Sequence, residues 1–439
     1  MMNNEAIQKA VAAAAAACGA EGYEINISAE VSAGAEALRH EISSITYNRS
    51  GGMSVRCVKD GRSGYASSEL VTPEEAAVLV ERACANASVV DDPDQVPLFE
   101  GSASYHEVCD EVPELPSAED MKARTLEIME KAYAASDKVI DGTQSFTSCM
   151  SSERSFINSA GVSLHYSDAL VYHGLAAAVK DGEESADEYA MSDVRKKSVD
   201  EIVDKAVSGA LSQLGGQSVP SGKYNVILDS TCMVSLLATF SSVFSARSAF
   251  LKTTLLAGRE GEKIASDIFS VIDDPFHPEK YGHCPFDAEG VAVYCKPVIE
   301  KGVLKTLLYN RMFGKLLGHE STGNAASAKE IAPKGLYVQA GDLSKEALLE
   351  KLGSGLYITE LKGTHAGANV QSGDFSLEAA GFLVEGGKKV SPVKNITLAD
   401  NFYTLIQKVS ALSDTVEFRL GSPFGAPEVL FNDISVSGK

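Results

Sequence analysis

The sequence predicts an α+β protein in two parts, an α+β region over residues 1–218 and a larger strand-rich region over residues 219–439. Helical patterns alternate with strand patterns in the first part, whereas the second part consists mostly of short strands and turns. The segment GGQSVPSGKYNVILDS is rich in glycine, serine and proline, and it separates the two regions near residue 218. We therefore expect antiparallel sheet or a barrel-like arrangement in the second part.

The first elements are a helix, a hairpin and a second helix. An alanine-rich helix is predicted over residues 4–17, and YEINISAEVS alternates as a strand does. In SVRCVKDGRSGYASSE, aromatic and β-branched residues flank an Asp-Gly turn, which is typical of a hairpin. Thr72 and Glu75 form a capping box with Pro73 at the first helical position, so the next helix begins there.

An acidic, proline-bearing crossing over residues 90–116 follows, and it is predicted to be irregular. Ser117 with Asp120 then opens another helix. Residues 145–192 are predicted to be strands.

Ser198 with Glu201 caps the last helix of the first part, VDEIVDKAVSGALSQL. Strands and turns dominate after the boundary. Three further helices are predicted there, near residues 231–245, 309–317 and 344–352.

Composition excludes several classes of protein. The net charge of −21, from 39 basic and 60 acidic residues, repels phosphate backbones, so direct nucleic-acid binding is not expected. The chain has no run of 18 apolar residues and no basic n-region at its start, so we expect no membrane span and no signal peptide, and a cytoplasmic location. The cysteines form no CxxC pair, which fits reduced thiols: Cys18, Cys57, Cys84, Cys109, Cys149, Cys232, Cys284 and Cys295.

The sequence offers few motifs for self-sufficient catalysis. His319-Glu320 begins like a zinc-protease helix, but the second histidine is missing and Ser-Thr-Gly-Asn is turn-forming, so we expect a loop. The looser set His277, His283, Cys284 and Cys295 matches no standard metal spacing, and a loop is favoured there too. The GxSxG, GxxxxGK[ST] and strand-linked GxGxxG motifs are missing.

Two acidic residues in FDAEGVAVY form a further candidate pair. Asp287 and Glu289 are two positions apart and would share one face of a strand. General acid–base chemistry is one interpretation of such a pair, and turn or solvation chemistry is the more common one.

The stretch LKGTHAGANVQSGDFSLEAAGFLVEGG, residues 361–387, is unusually rich in glycine. Glycine tolerates positive φ and allows another backbone to approach closely, so this density beside polar residues suggests a close-approach surface. A pair of strands joined by a glycine-rich hairpin is the structural alternative.

Several segments, in the same order and spanning nearly the whole chain, resemble the TldD/PmbA family. They are GGMSVRCVKDGRSGYASSE, GREGEKIAS, FDAEGVAVYCKPVIEKGVL, STGNA, the stretch from GTHAGANVQSGDFS to LADNF, and FNDISVSGK. The resemblance implies a two-part fold with a strand-rich C-terminal half. It also implies a zinc peptidase made of two homologous chains, TldD-like and PmbA-like (TldE), which cleaves unfolded peptides such as a microcin precursor or an antitoxin.

The resemblance further implies which of the two chains this is. TldD-like chains carry HExxxH upstream of the segment matching GREGEKIAS, and a cysteine ligand near the C-terminus. Counting back from Gly258, that slot here holds residues 237–242, Leu-Ala-Thr-Phe-Ser-Ser, and no cysteine follows Cys295. The chain therefore resembles the zinc-free, PmbA-like partner, with no cofactor of its own and with zinc expected in a TldD-like partner.

In the family, the segment matching GxHxGxNxxSGDFS faces a shared interior cavity. The resemblance thus implies a peptide-handling surface, although buried turns use the same residue types. The candidate residues are Gly363, His365, Asn369, Ser372, Gly373 and Asp374.

The expected function is that of a zinc-free subunit of a metallopeptidase that processes or degrades unfolded peptides, with catalysis only beside a TldD-like partner. The expected partners are that homologous subunit, an unfolded peptide and, for the chain alone, a second copy in a homodimer. A non-catalytic, homo-oligomeric peptide-binding or scaffold protein is the alternative, and a hydrolase using His365 with a nearby serine is a third. Some members of the family are described as modulators of DNA gyrase, and the acidic charge makes an indirect effect more plausible here.

Overall fold

The computed structural model describes residues 4–91, 96–108 and 113–439, and its fold is α+β, as predicted. The described residues of the first half form four helices and one six-stranded antiparallel sheet. The helices are α1 (Asn4–Cys18), α2 (Pro73–Ala87), α3 (Ala118–Ala135) and α4 (Val199–Ser212). The strands are β1 (Gly22–Leu38), β2 (Glu41–Lys59), β3 (Arg62–Ser68), β4 (Gln144–Asn158), β5 (Ser163–Asp181) and β6 (Glu184–Asp193).

The sheet has the strand order β3-β2-β1-β4-β5-β6. Side chains alternate between its two faces, and the four helices cover the face that carries Ile25, Ile27 and Ala35. The opposite face carries small polar side chains such as Ser28 and Ser32. Within the described residues, the helices therefore lie on one side of the sheet.

Most local signals in the first half are confirmed, but the predicted capping box at Thr72 is incomplete. Ser117 and Ser198 each complete a reciprocal capping box, whereas the Thr72 side chain only accepts the N–H of Glu75. The Asp-Gly turn between β2 and β3 has positive φ at both residues, +49° and +67°, as a tight hairpin turn requires. Within residues 96–108 and 113–116 the crossing has no helix or strand, and Cys109 lies outside the described residues.

The second half contains a closed barrel and a second sheet. Its described strands are β7 (Gly222–Leu228), β8 (Val271–Asp273), β9 (Lys296–Glu300), β10 (Val303–Leu304), β11 (Leu336–Val338), β12 (Gly355–Lys362), β13 (Asp374–Glu385), β14 (Lys388–Asn401), β15 (Val409–Leu412), β16 (Glu417–Phe418), β17 (Phe424–Ala426) and β18 (Val429–Ser437). The barrel runs β14-β13-β12-β7-β18 and closes because β14 also pairs with β18. The second sheet has the order β10-β9-β8-β11-β17-β16.

The helices of the second half are short. They are α5 (Ser230–Phe240), which runs into a 3-10 turn (Ser241–Phe244), α6 (Ala246–Phe250), α7 (Arg311–Leu317), α8 (Lys345–Leu352), α9 (Thr364–Gly367) and α10 (Phe402–Leu405). The three predicted helices correspond to α5, α7 and α8. The sequence did not predict α6, α9 and α10, because four or five residues are too few to show helical periodicity.

A buried ion-pair network joins the two halves. The Glu24 carboxylate on β1 accepts from the Arg56 guanidinium at 2.8 Å and from the Arg311 guanidinium of α7 at 2.9 Å. Both arginines also donate to backbone carbonyls of the crossing segment, at Val96 and Pro97. The domain boundary near residue 218 stays a prediction. In the described residues no helix is long and apolar enough to cross a membrane.

Candidate functional site

The glycine-rich stretch forms a folded loop between barrel strands β12 and β13. Gly363, with φ +82°, follows the last residue of β12, and its carbonyl accepts the N–H groups of Ala366 and Gly367 at 3.0 and 2.7 Å. These bonds form the single turn of α9. The structural alternative is confirmed in part, because the two strands exist, although a one-turn helix and a polar loop connect them instead of a tight hairpin.

Asn369 organises the second half of the loop. Its side-chain oxygen accepts the N–H groups of Gln371 and Ser372, each at 3.1 Å, in an Asx turn. Its backbone N–H donates to the Asp374 carbonyl at 2.8 Å, and its carbonyl accepts from the Gly373 N–H at 2.8 Å. The loop is therefore held by its own polar groups.

Asp374 is the charged residue of the loop and is exposed. Its carboxylate accepts from the Asn401 side-chain amide and from the Ser372 hydroxyl, both at 2.8 Å. These two hydrogen bonds, the one from Asn401 first, lower the pKa of Asp374 because they stabilise its charged form. The Asn401 amide also donates to the Ser372 carbonyl at 2.8 Å, so it holds both sides of the turn.

Two positions of this loop require glycine, because a neighbouring segment lies too close to leave room for a Cβ atom. A Cβ on Gly367 would lie 2.4 Å from the Ser376 carbonyl oxygen of β13. A Cβ on Gly373, which has φ +86°, would lie 2.5 Å from the Tyr403 ring. The glycine density thus allows α9 and the Asx turn to pack directly onto β13 and α10.

The structure brings all six predicted residues together in this loop. Four of the six stabilise the loop through the hydrogen bonds and close packing described above: Asn369, Ser372, Gly373 and Asp374. His365 differs from them, since it is exposed and makes no hydrogen bond within the described residues. An open groove of about 620 Å³ lies between the segments 366–370 and 374–376.

The slot to which the family resemblance assigned a metal site lies beneath the loop. The loop helix α9 packs against α5, and the Phe240 ring near the end of α5 is 6.2 Å from that of Phe375 and stacks on Phe402 at 4.6 Å. Leu237 and Phe240 are fully buried in the barrel core.

The polar groups of the slot are also used locally. The Thr239 hydroxyl donates to the Ser235 carbonyl at 2.7 Å, and the Ser241 hydroxyl donates to the Ala238 carbonyl at 2.9 Å. Over residues 4–91, 96–108 and 113–439, no group of three or more His, Cys, Asp or Glu side chains could hold a metal. The residues present in the slot therefore do not fit zinc, whose ligands are Cys, His and carboxylates.

The other candidate motifs have structural roles. His319 lies in a loop and stacks on Tyr309 with ring centroids 4.6 Å apart. The His277 ring packs against Tyr337 and Phe418 at 4.7 and 4.9 Å, and burial lowers the pKa of His277. The structure does not bring His277, His283, Cys284 and Cys295 into a metal-binding group. The seven cysteines among the described residues are free thiols.

The prediction that Asp287 and Glu289 share a strand face is wrong. The two residues lie in a tight, buried turn, where the Asp287 carboxylate accepts the N–H groups of Glu289 and Val291. Burial raises the pKa of both carboxyls, that of Glu289 to about 8. Strand alternation failed here because the backbone hydrogen bonds to Asp287 turn the chain within two residues.

Sequence reasoning missed two contributors to the site, Asn401 and Tyr403. Asn401 and Tyr403 hold the Asx turn, and the Tyr403 hydroxyl accepts the Leu255 N–H at 3.3 Å. Asn401 also caps α10 by accepting the Tyr403 N–H at 3.0 Å. An Asn two positions before an aromatic residue could have predicted that cap, but only the fold shows that it faces Asp374.

Sequence profiles of one family cover most of the chain. The PmbA/TldA metallopeptidase C-terminal domain matches residues 221–438, domain 1 matches residues 23–87, and the central domain matches residues 111–214. An α+β half followed by a closed barrel is thus the architecture of a metallopeptidase-family protein. The chain belongs to the PmbA/TldD family.

Individual relatives agree with this assignment. The chain is 26% identical to a Metalloprotease PmbA homolog of Haemophilus influenzae over 407 residues, covering 91% of this chain and 88% of the relative. A crystal structure of a candidate modulator of a DNA gyrase from Thermotoga maritima is 27% identical, with TM-score 0.90, over 99% of this chain and 100% of that one. TldE from Thermococcus kodakarensis shares the fold, at 23% identity and TM-score 0.89, over 99% of this chain and 100% of that one.

Proposed function

We propose that this chain is the zinc-free, PmbA/TldE-like subunit of a cytoplasmic TldD/PmbA-type metallopeptidase that processes or degrades unfolded peptides. In this proposal the zinc and the activated water belong to a TldD-like partner. One observation supports the proposal: the glycine-rich loop packs directly over a slot in which Leu237 and Phe240 are buried core residues. This chain therefore has the loop, but residues 237–242 beneath it offer no Cys, His or carboxylate side chain to zinc.

The groove beside the loop is suited to an extended peptide. Its walls are segments 366–370 and 374–376, where Ala366, Gly367, Ala368 and Ser376 leave room for a chain, and main-chain groups that have no partner inside the loop can bond a peptide whatever its sequence. His365 precedes the first groove-lining segment, is exposed and makes no hydrogen bond within the described residues, so we take it as a candidate contact for a peptide that extends beyond the groove. The role of the loop would be to hold and orient substrate.

An exposed apolar patch adjoins the loop and supports a protein partner. Phe250, Leu251 and Leu255 are 46%, 49% and 56% exposed. The backbone N–H of Leu255 donates to the hydroxyl of Tyr403, whose ring lies against Gly373. Contiguous exposed apolar side chains mark interaction surfaces. We assign this patch to the TldD-like homologue, because a partner seated there would place its own site next to the loop.

Reconstitution tests the proposal. The chain is incubated with a disordered peptide, alone and with a TldD-like homologue, with and without chelator. We expect co-elution of the two chains and chelator-sensitive cleavage only in the mixture. Cleavage by this chain alone that resists chelator would overturn the proposal. If the two chains do not co-elute but this chain still binds peptide, the result would favour the alternative, a non-catalytic, homo-oligomeric peptide-binding or scaffold protein.

Matched variants sharpen this experiment. Leu255→Glu should abolish co-elution, whereas Val390→Glu, at an equally exposed apolar position of β14, should leave it intact. His365→Ala should lower turnover by the assembled pair, whereas His40→Ala, at an exposed histidine of the first half, should not.

After washing with chelator, elemental analysis should find less than one zinc per chain in the isolated protein.

A further inference from the structure

The groove beside the glycine-rich loop carries one uncompensated negative charge. Of the eight described residues that line the groove, Asp374 alone is charged. It is exposed, and within the described part of the chain it forms no ion pair. The hydrogen bonds from Asn401 and Ser372 lower the pKa of Asp374, so its carboxylate is ionised at neutral pH. The groove therefore presents a fixed negative charge to a molecule that enters it.

Neighbouring carboxylates differ from Asp374 because each has a cation beside it. On β14, the Asp400 carboxylate lies 2.7 Å from the Lys408 ammonium. Farther along β13, Glu378 lies in register with Lys362 of β12. The register partner of Asp374 is instead a neutral asparagine of β14. Of these three carboxylates, only the one in the groove lacks a positive neighbour.

The Asp374 carboxylate also has unused acceptor positions. The Asn401 amide donates to its Oδ1 atom, and the Ser372 hydroxyl donates to its Oδ2 atom. Each carboxylate oxygen has two lone pairs, so one acceptor position stays open on each oxygen. An ammonium or guanidinium group supplies both N–H donors and the opposite charge. Because the two existing bonds already fix the orientation of the carboxylate, a bound cation orders little more of the protein.

The wall next to Asp374 suits the aliphatic part of a long basic side chain. Ala368 and Val370 are half-buried apolar residues that pack on the barrel core. The backbone N–H of Asn369, between them, donates to the Asp374 carbonyl at 2.8 Å, which holds this wall beside the charged residue. Lysine and arginine lay their aliphatic stems on apolar surface while their charged ends stay in water.

The charge of the whole chain favours the same class of ligand. A net charge of −21 raises the local concentration of cationic peptides and speeds their association. This long-range attraction acts on any cationic peptide, whereas Asp374 defines one point inside the groove where a cation can pair.

We propose that the groove selects peptides by one cationic group, a lysine or arginine side chain or a free amino terminus, which pairs with the Asp374 carboxylate. The inference rests on the proposed function, because it assigns a class of substrate to the same groove. Backbone groups of the groove hold the peptide main chain whatever its sequence, and the cation at Asp374 fixes which part of the peptide lies in the groove.

Peptide binding to the wild-type chain is the first test. Three disordered, fluorescently labelled peptides of equal length are compared by anisotropy at low ionic strength. The first has an acetylated amino terminus and a central glutamine, the second replaces that glutamine with lysine, and the third keeps the glutamine but has a free amino terminus. We expect the second or the third peptide to bind roughly threefold to fivefold more tightly than the first, and the one that gains identifies the source of the cation. High salt should reduce this preference, because it screens exposed charges.

Two variants locate the charge that is responsible. Asp374→Asn keeps the size of the side chain and one acceptor oxygen, so it should bind all three peptides equally, with the affinity that the wild type has for the first. Glu385→Gln is the matched control, since Asp374 begins β13 and the exposed Glu385 ends it, outside the groove. This control should keep the preference of the wild type.

The outcomes separate this inference from the proposed function. Equal binding of the three peptides by the wild-type chain overturns the inference alone, because peptide is still bound, and this comparison holds even if Asp374→Asn is unstable. A preference that survives Asp374→Asn, or that Glu385→Gln also removes, overturns it too, because the charge then lies outside the groove. A preference that depends on Asp374, without cleavage by the reconstituted pair, supports the inference and counts against the proposed function. If the chain binds no peptide, alone or with a TldD-like homologue, both are overturned.

Discussion

Two turns of the second half are each centred on an aspartate that accepts several hydrogen bonds, but the pKa values of the two aspartates shift in opposite directions. In the buried turn, Asp287 accepts three backbone N–H groups, those of Glu289, Val291 and Ala325, at 2.8 to 3.0 Å. In the exposed loop, Asp374 accepts from a serine hydroxyl and an asparagine amide. Burial raises the pKa of Asp287, whereas hydrogen bonds lower that of Asp374. Similar turn chemistry thus leads to opposite pKa shifts, depending on solvent access.

The surroundings of the buried turn explain its burial. The Glu289 carboxylate accepts the Arg311 N–H at 2.8 Å, and the Arg311 guanidinium reaches Glu24 in the first sheet. The Tyr105 hydroxyl donates to the Gly290 carbonyl at 2.9 Å. This turn therefore lies where the two halves meet, whereas the loop at Asp374 faces an open groove. One turn joins the two halves, and the other lines the groove.

The largest expected effect is that of Asp287→Ala. The change leaves three N–H groups without an acceptor, two of them buried and that of Val291 partly buried, so we expect a loss of about 3–5 kcal/mol in the free energy of unfolding. Asp287→Asn keeps one acceptor oxygen and should lose less. Urea unfolding at pH 7 measures both. A loss below about 1 kcal/mol for Asp287→Ala would show that water reaches these groups.

The second prediction compares two glycines of the exposed loop. Gly363 and Gly373 both have positive φ, but a Cβ meets nothing within 4 Å at Gly363 and lies 2.5 Å from Tyr403 at Gly373. Gly363→Ala should cost about 1–2 kcal/mol from backbone strain alone. Gly373→Ala should cost about 1–3 kcal/mol more from overpacking. Equal losses in the two melting curves would mean that Tyr403 moves aside freely.

Glu289 makes a pH-dependent contribution in the buried turn. Its folded pKa, about 8, is above the unfolded value of about 4.3, so its contribution to stability is full below that lower value. The contribution falls as pH rises towards 8, because only the unfolded chain releases the proton. Between pH 5.5 and 7.5 we expect about 2 kcal/mol less stability from this group in the wild type, and no such loss in Glu289→Gln. Parallel pH profiles would contradict this assignment.

The smallest effect is expected at Asp374. Its folded pKa is lowered, so its contribution to stability is present above the unfolded value of about 3.9 and is lost as pH falls through the folded value. The melting temperature of the wild type should therefore drop more on acidification from pH 5 to pH 2 than that of Asp374→Asn. Ser376→Ala, an exposed neighbour on β13, is the control and should follow the wild type. A larger drop in Asp374→Asn would reverse the sign and refute the stabilised carboxylate.

Local elements could be predicted from the sequence where a short-range rule is strong. The capping residues Ser117 and Ser198 begin helices as predicted, and the Asp-Gly turn makes its hairpin. The six polar and glycine residues of the candidate site are close in sequence, so they necessarily share one loop. Their use in binding peptide stays a prediction.

The failures are equally specific. Asp287 and Glu289 were predicted on a strand but lie in a turn. The turn forms because the Asp287 carboxylate accepts the backbone N–H groups of residues 289, 291 and 325. The helices α9 and α10 were missed because each is a single turn of four residues, which is too short to show helical periodicity.

By itself the sequence determined the α+β class, the helix starts, the hairpin turn and the residues of the slot at 237–242, because each depends on neighbours a few positions away. Tertiary structure alone decided barrel closure through β14 and β18, the placing of Asn401 beside Asp374, and the opposite pKa shifts of Asp287 and Asp374. Those outcomes depend on distance between remote segments and on access to water. Local sequence rules carry neither quantity.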